Sequence, residues 1–119
     1  MTRDLEQLGD RYREFVSKRG WDRFHTPQNL SMAISVEANE LMENFLWFGN
    51  PSSEEVREDE ELLKEVRDEI ADVMIYLLGL ANQLNIDPLQ AVEEKLKKND
   101  DRFDPETVEE INEYLNQWQ

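Results

Sequence analysis

Residues 30–45, LSMAISVEANELMENF, and residues 62–77, LLKEVRDEIADVMIYL, decide the fold of this 119-residue chain. In both stretches, apolar residues recur at spacings of three and four, which is typical of an amphipathic helix. Six positions of the first stretch match the second in residue class at one fixed separation: Leu30, Ile34, Glu37, Glu40, Leu41 and Phe45 correspond to Leu62, Val66, Glu69, Asp72, Val73 and Leu77. This weak internal repeat predicts two helices that use similar faces in one bundle.

Capping signals mark where the helices begin. Thr26-Pro27, Asp87-Pro88 and Asp104-Pro105 each place a capping side chain before a proline at the first helical position. Ser52 and Glu55 have the spacing of a capping box. The signals predict five helices, near residues 2–19, 27–48, 53–84, 88–102 and 105–117. The acidic run at 54–61 is expected to form a frayed first turn or a solvated loop.

The predicted fold class is all-α, because no segment alternates with period two. We expect a four-helix-bundle-type domain over residues 1–104. A short C-terminal helical tail over 105–119 would pack peripherally or against another subunit.

Composition excludes several classes of function. Acidic residues outnumber basic ones 28 to 13, which gives a formal net charge of −15. That charge disfavours binding to nucleic acid and to anionic membrane surfaces. The chain has no cysteine and no apolar run long enough to cross a bilayer. Its first residues lack the apolar core of a signal peptide, so the expected location is the cytoplasm.

Four carboxylates are the main candidates for a functional site. On a helical wheel at about 100° per residue, Glu37 points into the apolar arc of its helix and Glu40 lies at the edge of that arc. Glu69 and Asp72 take the same two positions on the other helix. Burying a carboxylate costs several kcal/mol unless it is neutralised, paired or bound to a metal.

This pattern of inward carboxylates fits two interpretations, a metal site or a set of salt bridges. Lys64 and Arg67 are the basic residues near the second pair, and none occurs from Leu30 to Phe48. Ligands that are all oxygen favour Mg²⁺, Mn²⁺ or Ca²⁺. Zinc and di-iron sites need more histidine or cysteine ligands than this chain has, since His25 is its one histidine. Magnesium held by carboxylates in a helical bundle points to chemistry on phosphate esters or anhydrides.

Two further groups of side chains suit a nucleotide. Lys95, Asn99 and Arg102 share one face of the fourth predicted helix and offer donors to phosphate oxygens, although a solvated helix end explains them as well. The flat side chains Trp21, His25, Trp47 and Tyr76 suit stacking on a base, although core packing explains any one of them.

In combination, these motifs resemble the MazG-like nucleotide pyrophosphohydrolases, and among them the dCTP pyrophosphatase branch. The resemblance runs over roughly residues 8–104 and rests on these segments: GWDRFHTPQNL at 20–30, EANEL at 37–41, FLW at 45–47, EIADVMIYL at 69–77 and KLKKNDDRF at 95–103. It implies an all-α homodimer or homotetramer. It also implies Mg²⁺-dependent cleavage of a nucleoside triphosphate, dCTP or a related nucleotide, to the monophosphate and pyrophosphate, with Mn²⁺ as a possible substitute.

The resemblance also assigns roles to residues. The metal ligands fall on Glu37, Glu40, Glu69 and Asp72, and Glu37 or Glu40 is the candidate for orienting the attacking water. The base-binding residues fall on Trp21, His25, Trp47 and Tyr76, and the phosphate-binding residues on Lys95, Asn99 and Arg102. One departure concerns the base: Tyr12 stands where animal dCTP enzymes have a histidine, so strict cytosine preference is not implied.

Two alternatives stay open on the sequence. The first is a non-enzymatic acidic helical module that binds a basic protein or mimics nucleic acid. The second is an enzyme of the same superfamily that acts on dUTP or phosphoribosyl-ATP.

Overall fold

The computed structural model describes residues 4–118, and these residues form helices, turns and loops without any strand. The all-α prediction is therefore confirmed for this part of the chain. The helices are α1 (Leu5–Lys18), α2 (Pro27–Glu43), α3 (Ser53–Glu58), α4 (Glu60–Gln83), α5 (Pro88–Arg102) and α6 (Pro105–Asn116), with a 3₁₀ turn at Asp22–Phe24. Among residues 4–118, no helix combines the length and apolar character that a membrane span needs.

The chain divides into two compact units, the first ending at Asn85 and the second beginning at Ile86. In the first unit α4 is central, since it packs most extensively against α2 and also contacts α1 and α3. Its buried apolar side chains come from α1, α2 and α4: Val16, Leu30, Leu62 and Val66. The second unit contains α5 and α6. The predicted division into 1–104 and 105–119 stays a prediction.

The capping signals set the starts of the helices as predicted. Thr26 accepts a hydrogen bond from the Asn29 amide at 3.2 Å, so α2 begins at Pro27. Both hydrogen bonds of the capping box between Ser52 and Glu55 are present at the start of α3. Asp87 and Asp104 cap α5 and α6 in the same way.

The predicted single helix over 53–84 is wrong, because Asp59 takes an extended conformation and separates α3 from α4. The Asp59 carboxylate instead caps α4 by accepting a hydrogen bond from the Leu62 amide at 3.1 Å. The break creates a second helix N-terminus within the acidic run, so Glu60 and Glu61 lie in a first turn. A helix N-terminus favours negative side chains, which accounts for the break in physical terms.

The predicted helix over 27–48 is too long, since α2 ends at Glu43. The following backbone bonds span three residues rather than four: the Phe45 amide donates to Met42 and the Phe48 amide to Phe45. Gly49 and Asn50 then adopt positive φ angles of 62° and 61°, which reverse the chain before α3. Left-handed backbone suits Gly and Asn better than other residues.

Candidate metal and nucleotide site

Three carboxylates converge between α2 and α4. Glu37 and Glu40 lie one turn apart on α2, and Glu69 lies on the facing α4. One carboxylate oxygen from each of the three lies within 4.8 Å of the others. Glu37 and Glu69 are half-buried and Glu40 is exposed, as the helical wheel predicted.

One carboxylate oxygen of each half-buried member of this cluster has no hydrogen-bond partner among residues 4–118. The Oε2 atoms of Glu37 and Glu69 are buried, and neither accepts a hydrogen bond from the residues that the structure describes. Burial, together with the nearby carboxylates of Glu69, Glu40 and Asp72, raises the pKa of Glu37 to about 7. The cluster therefore concentrates negative charge that the described protein leaves uncompensated.

Ion pairing with basic residues does not relieve this charge. The two ion pairs found within residues 4–118, Arg13 with Asp10 and Lys18 with Glu14, both lie on α1 and are exposed. Neither includes a member of the carboxylate cluster. The salt-bridge interpretation, which the sequence left open, thus has no support from the described side chains.

The donor set fits a hard divalent cation. All candidate ligand atoms are carboxylate oxygens, which Mg²⁺, Mn²⁺ and Ca²⁺ prefer. A cation held by these residues would compensate the two carboxylates whose buried oxygens receive no hydrogen bond from residues 4–118. Asp72, the fourth predicted ligand, lies close enough to raise the pKa of Glu37, but it is not among the three residues whose oxygens converge.

The first unit also contains a cavity of about 740 Å³. Its volume is in the range of small-molecule sites. The walls come from α1, from α4 and from the segment around the 3₁₀ turn, and they include Tyr12, Phe15, Trp21, His25, Asp72 and Tyr76. Because Asp72 lines the cavity and also acts on Glu37, the aromatic cavity and the carboxylate cluster adjoin.

Aromatic contacts hold the cavity wall together. The rings of Phe15 and Trp21 meet edge to face at 5.9 Å, and Tyr12 stacks on Phe15 at 6.2 Å. The guanidinium of Arg19 lies 3.6 Å from the centroid of the Phe15 ring. Such aromatic and cation–π pairs stabilise by about 0.5–1.5 kcal/mol each, so they order the wall before any ligand binds.

The other residues predicted for the base and the phosphates are divided between several places. Trp21, His25 and Tyr76 line the cavity. Trp47 does not line it, since it lies in the turn after α2 with 91% of its surface exposed. Lys95, Asn99 and Arg102 share one face of α5, in the second unit.

From the sequence, Tyr12 alone among the residues of α1 was linked to the base, and the helix was not predicted to form a cavity wall. Leu5, Leu8, Tyr12 and Phe15 all line the cavity, as does Arg11. The first four follow each other at spacings of three and four, which places them on one helix face. That periodicity was a usable signal, but it does not distinguish a cavity wall from an ordinary core.

Known proteins resemble this chain over most of its length. It is 33% identical to dCTP pyrophosphatase 1 of Mus musculus over 99 residues, and 35% identical to that of Homo sapiens over 101 residues. Each alignment spans 83% of this chain and 58% of the relative, so the chain matches little more than half the length of these relatives.

A solved structure agrees with the fold. The crystal structure of a pyrophosphatase from Archaeoglobus fulgidus is 44% identical in sequence and superposes with a TM-score of 0.75. The match covers 87% of this chain and 94% of that chain. In addition, the sequence profile of the MazG-like family matches residues 32–117. The chain therefore belongs to the MazG-like family.

Proposed function

We propose that this chain hydrolyses a nucleoside triphosphate to the monophosphate and pyrophosphate, with Mg²⁺ as the preferred ion and Mn²⁺ as a substitute. The observation that carries the proposal is the adjacency of two chemically different sites in one compact unit. The aromatic cavity suits a base, and the carboxylate cluster beside it suits a cation that carries phosphates. The pyrophosphatase names of the relatives support the same reaction.

The charges explain why a cation is needed. A triphosphate carries about four negative charges and would meet an acidic cluster on a protein of net charge −15. A bound divalent ion would remove that repulsion and polarise the phosphate oxygens. Glu37, Glu40, Glu69 and Asp72 would hold it.

The chain's own side chains would then position the reactants. Glu37 or Glu40 would orient a water and accept its proton as the water oxygen bonds to the α-phosphorus, while the bond from that phosphorus to the bridging oxygen breaks and pyrophosphate leaves. Lys95, Asn99 and Arg102 bind phosphate oxygens, and the two cationic members stabilise the charge that develops there. Trp21, His25 and Tyr76 line the cavity that would hold the base, and Trp47, which lies outside that cavity, stays a proposed base-binding residue. These side chains would determine substrate choice more than rate.

We further propose dCTP, or a related pyrimidine or non-standard nucleotide, as the substrate. The names of the mammalian relatives favour this choice over phosphoribosyl-ATP.

We also propose that the chain works as a homodimer or homotetramer. Ile70, Met74 and Leu77 form an exposed apolar stripe along α4, each with nearly half of its surface accessible. Met32 and Val36 are more exposed still on α2. Contiguous apolar surface of this kind marks interfaces between proteins.

The direct test is incubation with each common and several modified nucleoside triphosphates in the presence of Mg²⁺, with pyrophosphate as the readout. We expect pyrophosphate and the monophosphate from at least dCTP. Release from dUTP or phosphoribosyl-ATP alone would move the protein to another activity of its superfamily. No release from any of them, with no thermal stabilisation by Mg²⁺, would favour the acidic interaction module instead.

A further inference from the structure

Phe103 follows the last residue of α5 and contacts two of the three residues proposed to bind phosphate. Its backbone N–H donates a hydrogen bond to the carbonyl oxygen of Asn99 at 2.8 Å. The guanidinium carbon of Arg102 lies over its ring, 5.1 Å from the ring centroid. That distance is within the range of a cation–π contact. Phe103 is therefore tied by its backbone and by its ring to the proposed phosphate-binding face of α5.

The backbone of Phe103 is held on both sides. On one side is its hydrogen bond to Asn99, within the last turn of α5. On the other side, Asp104 caps α6 by accepting a hydrogen bond from the Thr107 amide at 2.8 Å. The turn between the two helices thus fixes the point from which the ring extends toward Arg102.

The Arg102 guanidinium forms none of the ion pairs found within residues 4–118, although acidic residues are close to it in sequence. Three of them lie within two positions: Asp100, Asp101 and Asp104. On a helix, side chains meet at separations of three and four, and those positions before Arg102 hold Asn99 and Lys98. The ring of Phe103, rather than a carboxylate, is the contact that the structure gives this cation.

A contact with a ring leaves the guanidinium able to bind phosphate. An arginine stacks on an aromatic side chain through its flat face, whereas its N–H groups lie in the plane and form paired hydrogen bonds to phosphate oxygens. A carboxylate would occupy those same donors and cancel the charge. The ring also restricts a long, flexible side chain before a ligand arrives, which reduces the entropy lost on binding.

We propose that Phe103 is a positioning residue for polyphosphate binding, because its ring holds the Arg102 guanidinium for phosphate oxygens on the face of α5. The inference rests on the proposed function, since it takes that face as the phosphate-binding surface. Phe103 acts through Arg102 and does not itself bind the ligand. Loss of the ring should weaken polyphosphate binding about two- to fivefold, the effect of one exposed cation–π contact.

The experiment measures binding of inorganic pyrophosphate in the presence of Mg²⁺ by calorimetry, and in parallel kcat/KM for dCTP. Phe103→Leu keeps an apolar side chain without the aromatic ring, and should lower both the affinity and kcat/KM about two- to fivefold. Phe103→Tyr restores a ring that can face the cation and should retain wild-type values. Phe24→Leu is the matched control, because it removes the contact of Phe24 with Arg23, at 4.6 Å, outside the cavity lining. It should leave both values unchanged.

A double-mutant cycle separates positioning of Arg102 from a role in the fold. In an Arg102→Gln background the ring has no cation to hold, so Phe103→Leu should cause no further loss of pyrophosphate affinity. A purely structural role for the ring would produce the same loss with and without the cation.

The outcomes distinguish this inference from the proposed function. Unchanged pyrophosphate affinity in Phe103→Leu, an equal loss in Phe103→Tyr, or an undiminished loss in the Arg102→Gln background overturns the inference even if dCTP is hydrolysed. The expected pattern of pyrophosphate binding without turnover of any nucleotide supports the inference and contradicts the proposed activity. Absence of both pyrophosphate binding and turnover in the wild type overturns both.

Discussion

Glu37 on α2 and Glu69 on α4 each bury one carboxylate oxygen, and neither oxygen receives a hydrogen bond from residues 4–118. Two such groups on facing helices are costly to the fold, because burial removes water from negative charge. Protonation or a bound cation would remove that cost. Protonation and cation binding compete for the same carboxylates. The first predicts that stability depends on pH, and the second that it depends on the concentration of a divalent cation.

Divalent cations should stabilise the protein through this pair. We expect excess Mg²⁺ or Mn²⁺ to raise the melting temperature of the wild type, because a ligand that binds only the folded state stabilises it. Glu69→Gln removes one charge with little change in volume and should abolish most of that shift. Glu65→Gln, at an exposed position of the same helix, is the matched control and should keep it. An equal Mg²⁺ response in all three proteins would refute a cation site at Glu69.

Acidification should stabilise the metal-free protein. The pKa of Glu37 is raised to about 7 in the folded protein, against an ordinary value of 4.5. The folded state therefore binds this proton more tightly than the unfolded chain does. Its contribution to stability is fully present below about pH 4.5 and is lost as the pH rises through about 7.

We therefore expect the melting temperature in a chelator to fall between about pH 4.5 and about pH 7, and Glu37→Gln to flatten that fall. Glu65→Gln lowers the net negative charge equally and controls for general repulsion. A slope as steep in Glu37→Gln as in Glu65→Gln would mean that Glu37 does not carry the effect.

Sequence reasoning predicted the inward carboxylates because helical periodicity is a local property. Once residues 30–45 and 62–77 are helical, the directions of Glu37 and Glu69 follow from the wheel. Their meeting across the helices follows from packing their apolar faces together. The pairing of Glu37 with Glu69 was thus accessible without coordinates, as were the helix starts at Pro27, Pro88 and Pro105.

The remaining features depended on tertiary contacts or on competing local bonds. The break at Asp59 depends on whether its carboxylate caps the Leu62 amide or faces water, and periodicity does not decide between them. Trp47 follows a helical apolar pattern, yet it lies in a turn and is exposed. The hydrogen bonds that His25 makes with the Tyr12 hydroxyl and the Trp21 carbonyl join residues from separate segments, which folding alone brings together.

Removing a member of the carboxylate cluster should abolish turnover and leave the helical fold unchanged. We expect Glu69→Ala to lower kcat for dCTP hydrolysis by about 100-fold or more, since a misplaced cation no longer compensates the phosphates. Circular dichroism should show an unchanged helical signal. Glu65→Ala should retain activity, and wild-type rates in Glu69→Ala would show the metal assignment to be wrong.

Aromatic residues of the cavity should affect substrate binding more than the chemical step. Tyr76 lines the cavity and is half-buried. Tyr76→Ala should raise KM for dCTP by about tenfold and change kcat much less, because the base is held away from the reacting phosphorus. Tyr114→Ala on α6 should leave both constants unchanged. A kcat defect at unchanged KM would place Tyr76 in the chemistry instead.

The break between α3 and α4 should contribute to stability through one side chain. The Asp59 carboxylate caps the amide of Leu62, which is itself a buried core residue, so this cap fixes both the start of α4 and its packing. Asp59→Ala should lower the free energy of unfolding by about 1 kcal/mol, measured in urea at one protein concentration. Asp68→Ala, at an exposed interior position of α4, should change it by less than about 0.5 kcal/mol. If the two variants are equally stable, the cap is not what starts α4, and a continuous helix through residue 59 becomes the better description of the acidic run.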